Sequence, residues 1–342
     1  METLCFGIDV GFGNTKYSFG KTEDGEIATG IFPSCAPLTT NFGSKEYLDK
    51  KNTFIVPGND GNFHQVGRDS ILEMGQNSGR ILDSEFPMRS EYRALLNGAL
   101  CHIGREKIDS LCIGLPVSSI DALASAVREQ AIGIHKLPIG EVEVLNVVVV
   151  PQPIGGLFDF ATSNNRVKEM RMGKNLLIDP GYYTLDWVVS EGLVMIKSCS
   201  GAINNAGMSP ILNRIMESIV SCVNKRDGKN TEVTEYLMEK LDIAIRTNAP
   251  FYINGKVEDI RSHMHAADAI IRDALNKMLA GVGALSEITN IILVGGGSHL
   301  YHKQIVEKFK GYSLKMVKNP EFSNVRGFHL LAEQVLKYKS VR

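Results

Sequence analysis

Two short stretches carry residue types that could handle phosphate. Ile8-Asp9-Val10-Gly11-Phe12-Gly13-Asn14-Thr15-Lys16 is echoed in the second half by Ile178-Asp179-Pro180-Gly181-Tyr182-Tyr183-Thr184-Leu185-Asp186. In each, an apolar run ends in aspartate, turns through glycine and resumes as a second apolar run, the pattern of a strand, a tight turn and a returning strand. Such a turn presents backbone N–H groups, and Gly11, Gly13 and Gly181 lack the bulk that would keep a phosphate away from them. Asp9 and Asp179 offer hard oxygen ligands that can hold hydrated magnesium against the phosphate charge. Two strand ends of this kind imply one site gripped from two halves of the chain.

Two further stretches could face the same ligand. A β-branched run over 142–150 closes in Pro151-Gln152-Pro153. Each proline has a restricted φ and biases the residue before it away from the α region, which holds Gln152 extended at a strand end. The same prolines also suit a plain strand-to-helix turn. An apolar strand over 291–294 runs into Gly295-Gly296-Gly297-Ser298 and then a helix over about 300–309. Bare backbone there can lie against a base, ribose or phosphate at a helix N-terminus, or can serve only close packing of helix on strand. His263 and His265 fall two apart on an expected helix, so they point to different faces and read as surface histidines, not a metal pair. No G-x-x-x-x-G-K-[ST] occurs, and the first turn ends in Lys16 where a dinucleotide fingerprint needs glycine, so P-loop and Rossmann readings lose ground.

The elements that must position these residues follow from hydrophobic spacing. Strands over 4–8, 17–19 and 27–32 form a meander, and 33–68 loosens into an elaboration with short strands at 53–56 and 63–66. Helices over 89–103 and 120–132 flank a buried strand over 111–115, and the polar segment 164–174 crosses into the second half. There the spacing predicts a hairpin over 187–198, helices over 208–223, 231–245 and 258–279, an Asn-Gly hairpin over 251–257, a strand over 314–317 and a last helix over 325–338 that returns to the first half. The charged loop 224–230 has balanced charge and reads as solvated.

With 342 residues there is room for two domains, and 44% hydrophobic residues can build their cores. The 37 basic against 38 acidic side chains leave no net field to draw the chain to nucleic acid or an anionic membrane, so any contact with DNA is expected to be indirect. Cys5, Cys35, Cys101, Cys112, Cys199 and Cys222 show no C-x-x-C spacing, sit largely in apolar runs and read as reduced core thiols, which points to the cytoplasm. Neither a signal peptide nor an apolar run of about 18 residues is apparent, so no membrane association is expected.

Five segments thus stand in a fixed order: a strand–Asp–Gly turn, a strand–Pro-Gln-Pro–helix, a second strand–Asp–Gly turn, a strand–triple-glycine–helix, and a helix opening at Asn319-Pro320. From Ile8 to about Ala332 this set resembles the phosphate-1, connect-1, phosphate-2, adenosine and connect-2 motifs of the actin-like ATPase superfamily. Gly11-Phe12-Gly13-Asn14-Thr15-Lys16, Pro151-Gln152-Pro153 and Asn319-Pro320-Glu321-Phe322-Ser323-Asn324-Val325-Arg326-Gly327 are most similar to the ParM/StbA-type plasmid-segregation actins. The resemblance implies an α/β, actin-like (ribonuclease H-like) fold of two domains with a nucleotide cleft between them. Domain I would comprise 1–163 with the returning helix 323–342, and domain II 164–322.

The resemblance also implies roles. Asp9 and Asp179 would face magnesium, and Gln152 with Asp179 would orient an attacking water. Gly11, Gly13, Asn14, Thr15 and Lys16 would hold the β- and γ-phosphates of ATP or ADP; Gly181, Tyr182 and Thr184 would close the second jaw; Gly295, Gly296, Gly297 and Ser298 would contact the nucleoside. Pro180 and Tyr182-Tyr183 depart from the small residue and Gly-Thr or Gly-Ser of many relatives, so the tyrosines are expected to line the cleft. The implied activity is slow ATP hydrolysis, because a neutral glutamine orients water and is a weak proton acceptor. The implied product is a homopolymeric filament that moves plasmid DNA through a DNA-binding adaptor protein. A small-molecule kinase of the same superfamily, or a nucleotide-dependent switch that does not polymerise, are the alternative readings.

Overall fold

The computed structural model describes residues 3–40, 50, 52–74 and 80–340; part of the 33–68 elaboration lies outside them. In the first half, β1 (Cys5–Val10) is buried at every position because it runs through the middle of a sheet. β2 (Asn14–Lys21) and β3 (Ile27–Pro33) complete an antiparallel meander, and β4 (Thr53–Pro57) pairs with β5 (Phe63–Gly67) as a separate hairpin. α1 (Ser90–Ile103), β6 (Lys107–Ile108), β7 (Ser110–Leu115), α2 (Ile120–Ala131), β8 (Gly133–Leu137), β9 (Gly140–Val144), β10 (Val147–Pro151) and α3 (Gln152–Ser163) follow. The main sheet runs β10-β7-β1-β2-β3, with β10, β7 and β1 parallel.

The apolar run 142–150 is two strands, not one. β9 alternates exposed Glu141 and Glu143 with buried Val142 and Val144 and pairs in a three-stranded side sheet with β6 and β8. At Asn146 the chain changes ladders: its carbonyl accepts from Leu111 N and its amide donates to Ser110 Oγ, which delivers β10 into the main sheet.

The second half repeats the plan. After α4 (Val167–Met172) come β11 (Lys174–Pro180), β12 (Thr184–Glu191), β13 (Val194–Met195), β14 (Gly201–Asn204), α5 (Met208–Asp227) and α6 (Glu235–Thr247). β15 (Phe251–Ile253), β16 (Lys256–Glu258), α7 (Asp268–Val282), β17 (Asn290–Leu293), α8 (Ser298–Lys308), β18 (Leu314–Met316) and α9 (Ser323–Ser340) complete the chain. The sheet order is β13-β12-β11-β17-β18, with β14 also on β12 and with β11, β17 and β18 parallel. Each half is therefore an antiparallel hairpin whose first strand continues into two parallel strands. The structure shares the order but almost none of the sequence.

Two helices differ from the spacing. α6 starts at Glu235, where Thr234 caps it by accepting from Leu237 N. Residues 258–279 divide into a 3₁₀ stretch, Ile260–Ala267, and α7, and His263 on that stretch bonds Ser218 at 2.8 Å. The final helix does return to the first half: Phe328 and Ala332 pack with Cys5 and Cys112 against β1 and β7. On its way it crosses α3 at bare backbone, since a Cβ on Gly327 would lie 1.8 Å from the Gly155 carbonyl oxygen. The six cysteines are all free, and Cys5, Cys35, Cys101 and Cys112 are core residues as expected, but Cys199 is half-buried and Cys222, on the outer face of α5, is exposed.

Candidate functional site

The two Asp-bearing hairpins are built alike and meet at one cleft. The register pairs Asp9 with Lys16 and Asp179 with Asp186. Gly11 N closes the first turn on the Asn14 carbonyl (3.2 Å), and Gly181 N closes the second on Thr184 (2.8 Å). These two donors therefore serve the turns themselves. The tips, residues 12–13 and 182–183, have N–H groups engaged by no backbone carbonyl among the described residues. Asp9, Gly11, Gly13, Asn14, Lys16, Gln152, Asp179, Gly181, Tyr182, Thr184, Gly295 and Gly296 all line the cleft.

Thr15, Gly297 and Ser298 sit behind it. Thr15 follows strand alternation to the opposite face, where its hydroxyl meets Ser34 at 2.9 Å. A Cβ on Gly297 would meet the Pro180 carbonyl at 2.8 Å, so this glycine serves close packing. The Ser298 hydroxyl donates back to the carbonyls of Val294 and Gly295 within its own turn. Gly295 does both jobs: its φ is +86°, and a Cβ there would lie 1.9 Å from Asp179 Oδ1. Only glycine lets that turn and the carboxylate coexist.

The floor is strongly acidic. Asp9 is buried, accepts from Gln152 Nε2 at 2.7 Å and meets Lys16 Nζ at 3.4 Å. A carboxylate requires a donor, which turns the Gln152 amide so that its carbonyl oxygen faces away from Asp9. Asp179 accepts from Asn324 Nδ2 at 2.7 Å. Burial, opposed by that bond and reinforced by the Asp186 and Asp9 charges, pushes the Asp179 carboxyl up to about 7. Burial likewise pushes Asp186 up to about 6, against the Thr184 hydroxyl and the Val117 N–H.

A hard dication fits this donor set: two buried aspartates from opposite hairpins, oxygen ligands only, with charge that burial makes costly to leave uncompensated. No group of three or more His, Cys, Asp or Glu poised to hold a metal occurs among the described residues. Such an ion would therefore share its shell with ligand oxygens and water, as magnesium does on phosphates.

The jaws touch at their tips. The Tyr182 ring lies on Gly13, where a Cβ would be 2.6 Å from its Cδ2, and Phe12 meets Tyr183 edge-on at 5.1 Å. Of the two tyrosines, Tyr182 lines the cleft, while the Tyr183 carbonyl accepts from Ala206 and Gly207. The space enclosed is about 70 Å³, below the roughly 300–1,000 Å³ of small-molecule sites. It adjoins a cavity of about 700 Å³, and Asn14, Ile31, Arg246 and Glu321 line both.

Arg80 fastens the two halves across this gap. Its Nε donates to the Gly13 carbonyl (3.1 Å), its two terminal nitrogens reach Glu235 and Glu239 on α6 (2.7 Å each), and its guanidinium lies 4.8 Å from the centre of the Tyr182 ring. Sequence reasoning gave Arg80, Asp186 and Asn324 no role. Asp186 had a signal, since it occupies in the second hairpin the position of Lys16 in the first.

Comparison with known proteins follows the same two halves. The family model for actin-like proteins, N-terminal domain, matches residues 7–155, and that for archaeal actin homologue MreB-like, C-terminal, matches 177–307. No curated protein matches by sequence. An archaeal actin homologue is similar at a TM-score of 0.74 and 20% identity, covering 97% of this chain and all of that one. ParM in a 15-stranded filament from Clostridium botulinum gives 0.72 at 17% identity over 98% of this chain and all of its own. Bacillus thuringiensis ParM with ATP gives 0.67 at 14%, again over 98% and 100%.

Proposed function

From the premise that this chain belongs to the actin-like superfamily, we propose that it binds ATP with magnesium between its halves, hydrolyses it slowly and assembles into nucleotide-dependent filaments. The observation that carries the reading is that Asp9 and Asp179, from matched hairpins in different halves, line one cleft. Bacillus thuringiensis ParM has been solved with ATP, and Clostridium botulinum ParM as a filament, which supports the nucleotide and the assembly by fold. We take the moving bodies to be 1–163 with 323–342, and 164–322. The cargo we propose is plasmid DNA, held through a DNA-binding adaptor in the cytoplasm, because the balanced charge gives no field for direct contact.

In this reading Lys16 and the tip N–H groups hold phosphate oxygens, and Asp9 and Asp179 hold the ion. Magnesium, when bound, neutralises charge that develops on the phosphates. Gln152, pinned by its amide to Asp9, keeps its carbonyl oxygen for a water. An amide positions water and does not take its proton, so turnover is slow and a filament can outlive the ATP-bound state of each subunit. Gly295 and Gly296 lie against the nucleoside, and the adjoining cavity gives it room.

Sedimentation and light scattering with ATP, ADP and a non-hydrolysable analogue test the reading. The expected result is polymer with ATP or the analogue and its loss as ADP accumulates. A chain that stays monomeric with every nucleotide at high concentration overturns it.

A further inference from the structure

Asn324, second residue of α9, is buried where the two halves join and touches both. Its Nδ2 donates to Asp179 Oδ2 at 2.7 Å, and its Oδ1 accepts from Gly156 N on α3 at 3.2 Å. The same helix α3 opens with Gln152, whose amide donates to Asp9 Oδ1 at 2.7 Å. A continuous path of hydrogen bonds and one helical turn therefore runs from Asp9 through Gln152, α3 and Asn324 to Asp179. Four residues of helix, about 6 Å of rise, separate its two points of attachment on α3.

Both side-chain amides can make these bonds in only one sense. The Gly156 N–H can only donate, so Asn324 must present its oxygen there, which leaves its NH2 for Asp179. The alternative orientation would put two acceptors face to face on one side and two donors on the other. The bond also offsets part of the burial cost of Asp179.

We propose that Asn324 is a positioning residue: it fixes the Asp179 carboxylate and, through α3, sets its spacing from Asp9, so that the two carboxylates meet one ion only when the halves stand in the right relation. This rests on the proposed function above. A group that orients a metal-facing carboxylate typically changes metal affinity about 10- to 100-fold when removed. α3 and α9 cross at Gly155 and Gly327 with no side chain between them, so there is little slack through which the spacing could drift.

The experiment compares wild type, Asn324→Asp and Asn324→Ala. Asn324→Asp keeps the shape and the acceptor for Gly156 N and replaces the donor to Asp179 by an acceptor; Asn324→Ala removes both bonds. Binding of a fluorescent ATP analogue is titrated against Mg²⁺ and repeated in EDTA, with thermal melting of the nucleotide-free chain alongside. Expected is a 10- to 100-fold rise in the Mg²⁺ needed for half-maximal binding, with the affinity in EDTA unchanged and each variant, though less stable, still melting in one cooperative transition. If Asn324→Asp does not fold, Asn324→Ala carries the same comparison. Mg²⁺ dependence equal to wild type in a folded variant, or equal losses with and without Mg²⁺, overturns the assignment alone. A wild-type chain whose nucleotide binding ignores Mg²⁺ overturns the functional reading, and this assignment with it.

Discussion

At Gly295 a single methyl group separates two demands. The backbone is left-handed there, and the missing Cβ is what leaves room for Asp179 Oδ1. Gly295→Ala is expected to cost about 1–3 kcal/mol of stability from backbone strain and to weaken Mg²⁺-dependent nucleotide binding, read by thermal melting and by fluorescent ATP titration. His135, far from the cleft, governs a pH effect. Burial first, then the Arg93 charge, pushes its imidazole down to about 4 against the Ala131 carbonyl. Its folded pKa lies below the unfolded 6.5, so its contribution is complete above about pH 6.5 and is lost as pH falls toward 4, up to about 3 kcal/mol. Asp179 and Asp186, raised by burial, act with the opposite sign across acid pH. The His135 share is therefore the difference in urea midpoints between wild type and His135→Gln, expected to be larger at pH 7 than at pH 4.5. A constant difference across that range removes the ring from the account. Residue types were legible at Asp9, Gln152 and Asp179 because carboxylates at strand ends and a proline-flanked glutamine are unusual. Side-chain direction was not: Thr15 and Ser298 share the motifs, yet Thr15 bonds Ser34 behind the cleft and Ser298 bonds within its own turn.

Among the elements, the crossing of α3 and α9 is the tightest contact between the two connections that join the halves. Gly327→Ala would place a carbon 1.8 Å from the Gly155 carbonyl. Neither backbone can give way without moving Gln152 or Asn324, so a loss of about 1–3 kcal/mol from overpacking is expected, together with reduced ATP turnover. Wild-type turnover in a destabilised Gly327→Ala would separate the crossing from the site. Strand and helix identity was largely readable from period, and the misreadings have a common cause. Over 142–150 the apolar count stays high while the chain changes sheets at Asn146, and a composition window cannot see a change of partner. Over 258–279 the helical spacing continues while the hydrogen bonding tightens to 3₁₀ up to Ala267.

For the whole molecule, Arg80 decides how firmly the halves hold together. Its charge is buried, and Glu235 and Glu239 from the other half are its ionic partners. Opening the cleft must break both pairs, and a buried pair broken on one side is strongly unfavourable. Arg80→Ala is expected to speed release of a fluorescent ATP analogue several-fold in stopped-flow chase, and Glu235→Gln with Glu239→Gln together should do the same. Release at the wild-type rate in both would show that the tips, Phe12 on Tyr183 and Tyr182 on Gly13, hold the cleft without it. No local pattern marked Arg80, because its partners lie 155 and 159 residues away.

The sequence by itself determined the two-half plan and the actin-like family, since strand–Asp–Gly turns and the glycine run at 295–297 are local features whose backbone requirements can be read in place, whereas Gln152, expected extended between its prolines, instead opens α3. Tertiary structure alone decided which groups face the cleft. It turned Thr15 and Ser298 away and brought Arg80 and Asn324 to the gap. The physical reason is that a turn's conformation is fixed by neighbours a few residues away. The partner of a buried charge is fixed by whichever distant donor or acceptor the packing brings within 3 Å.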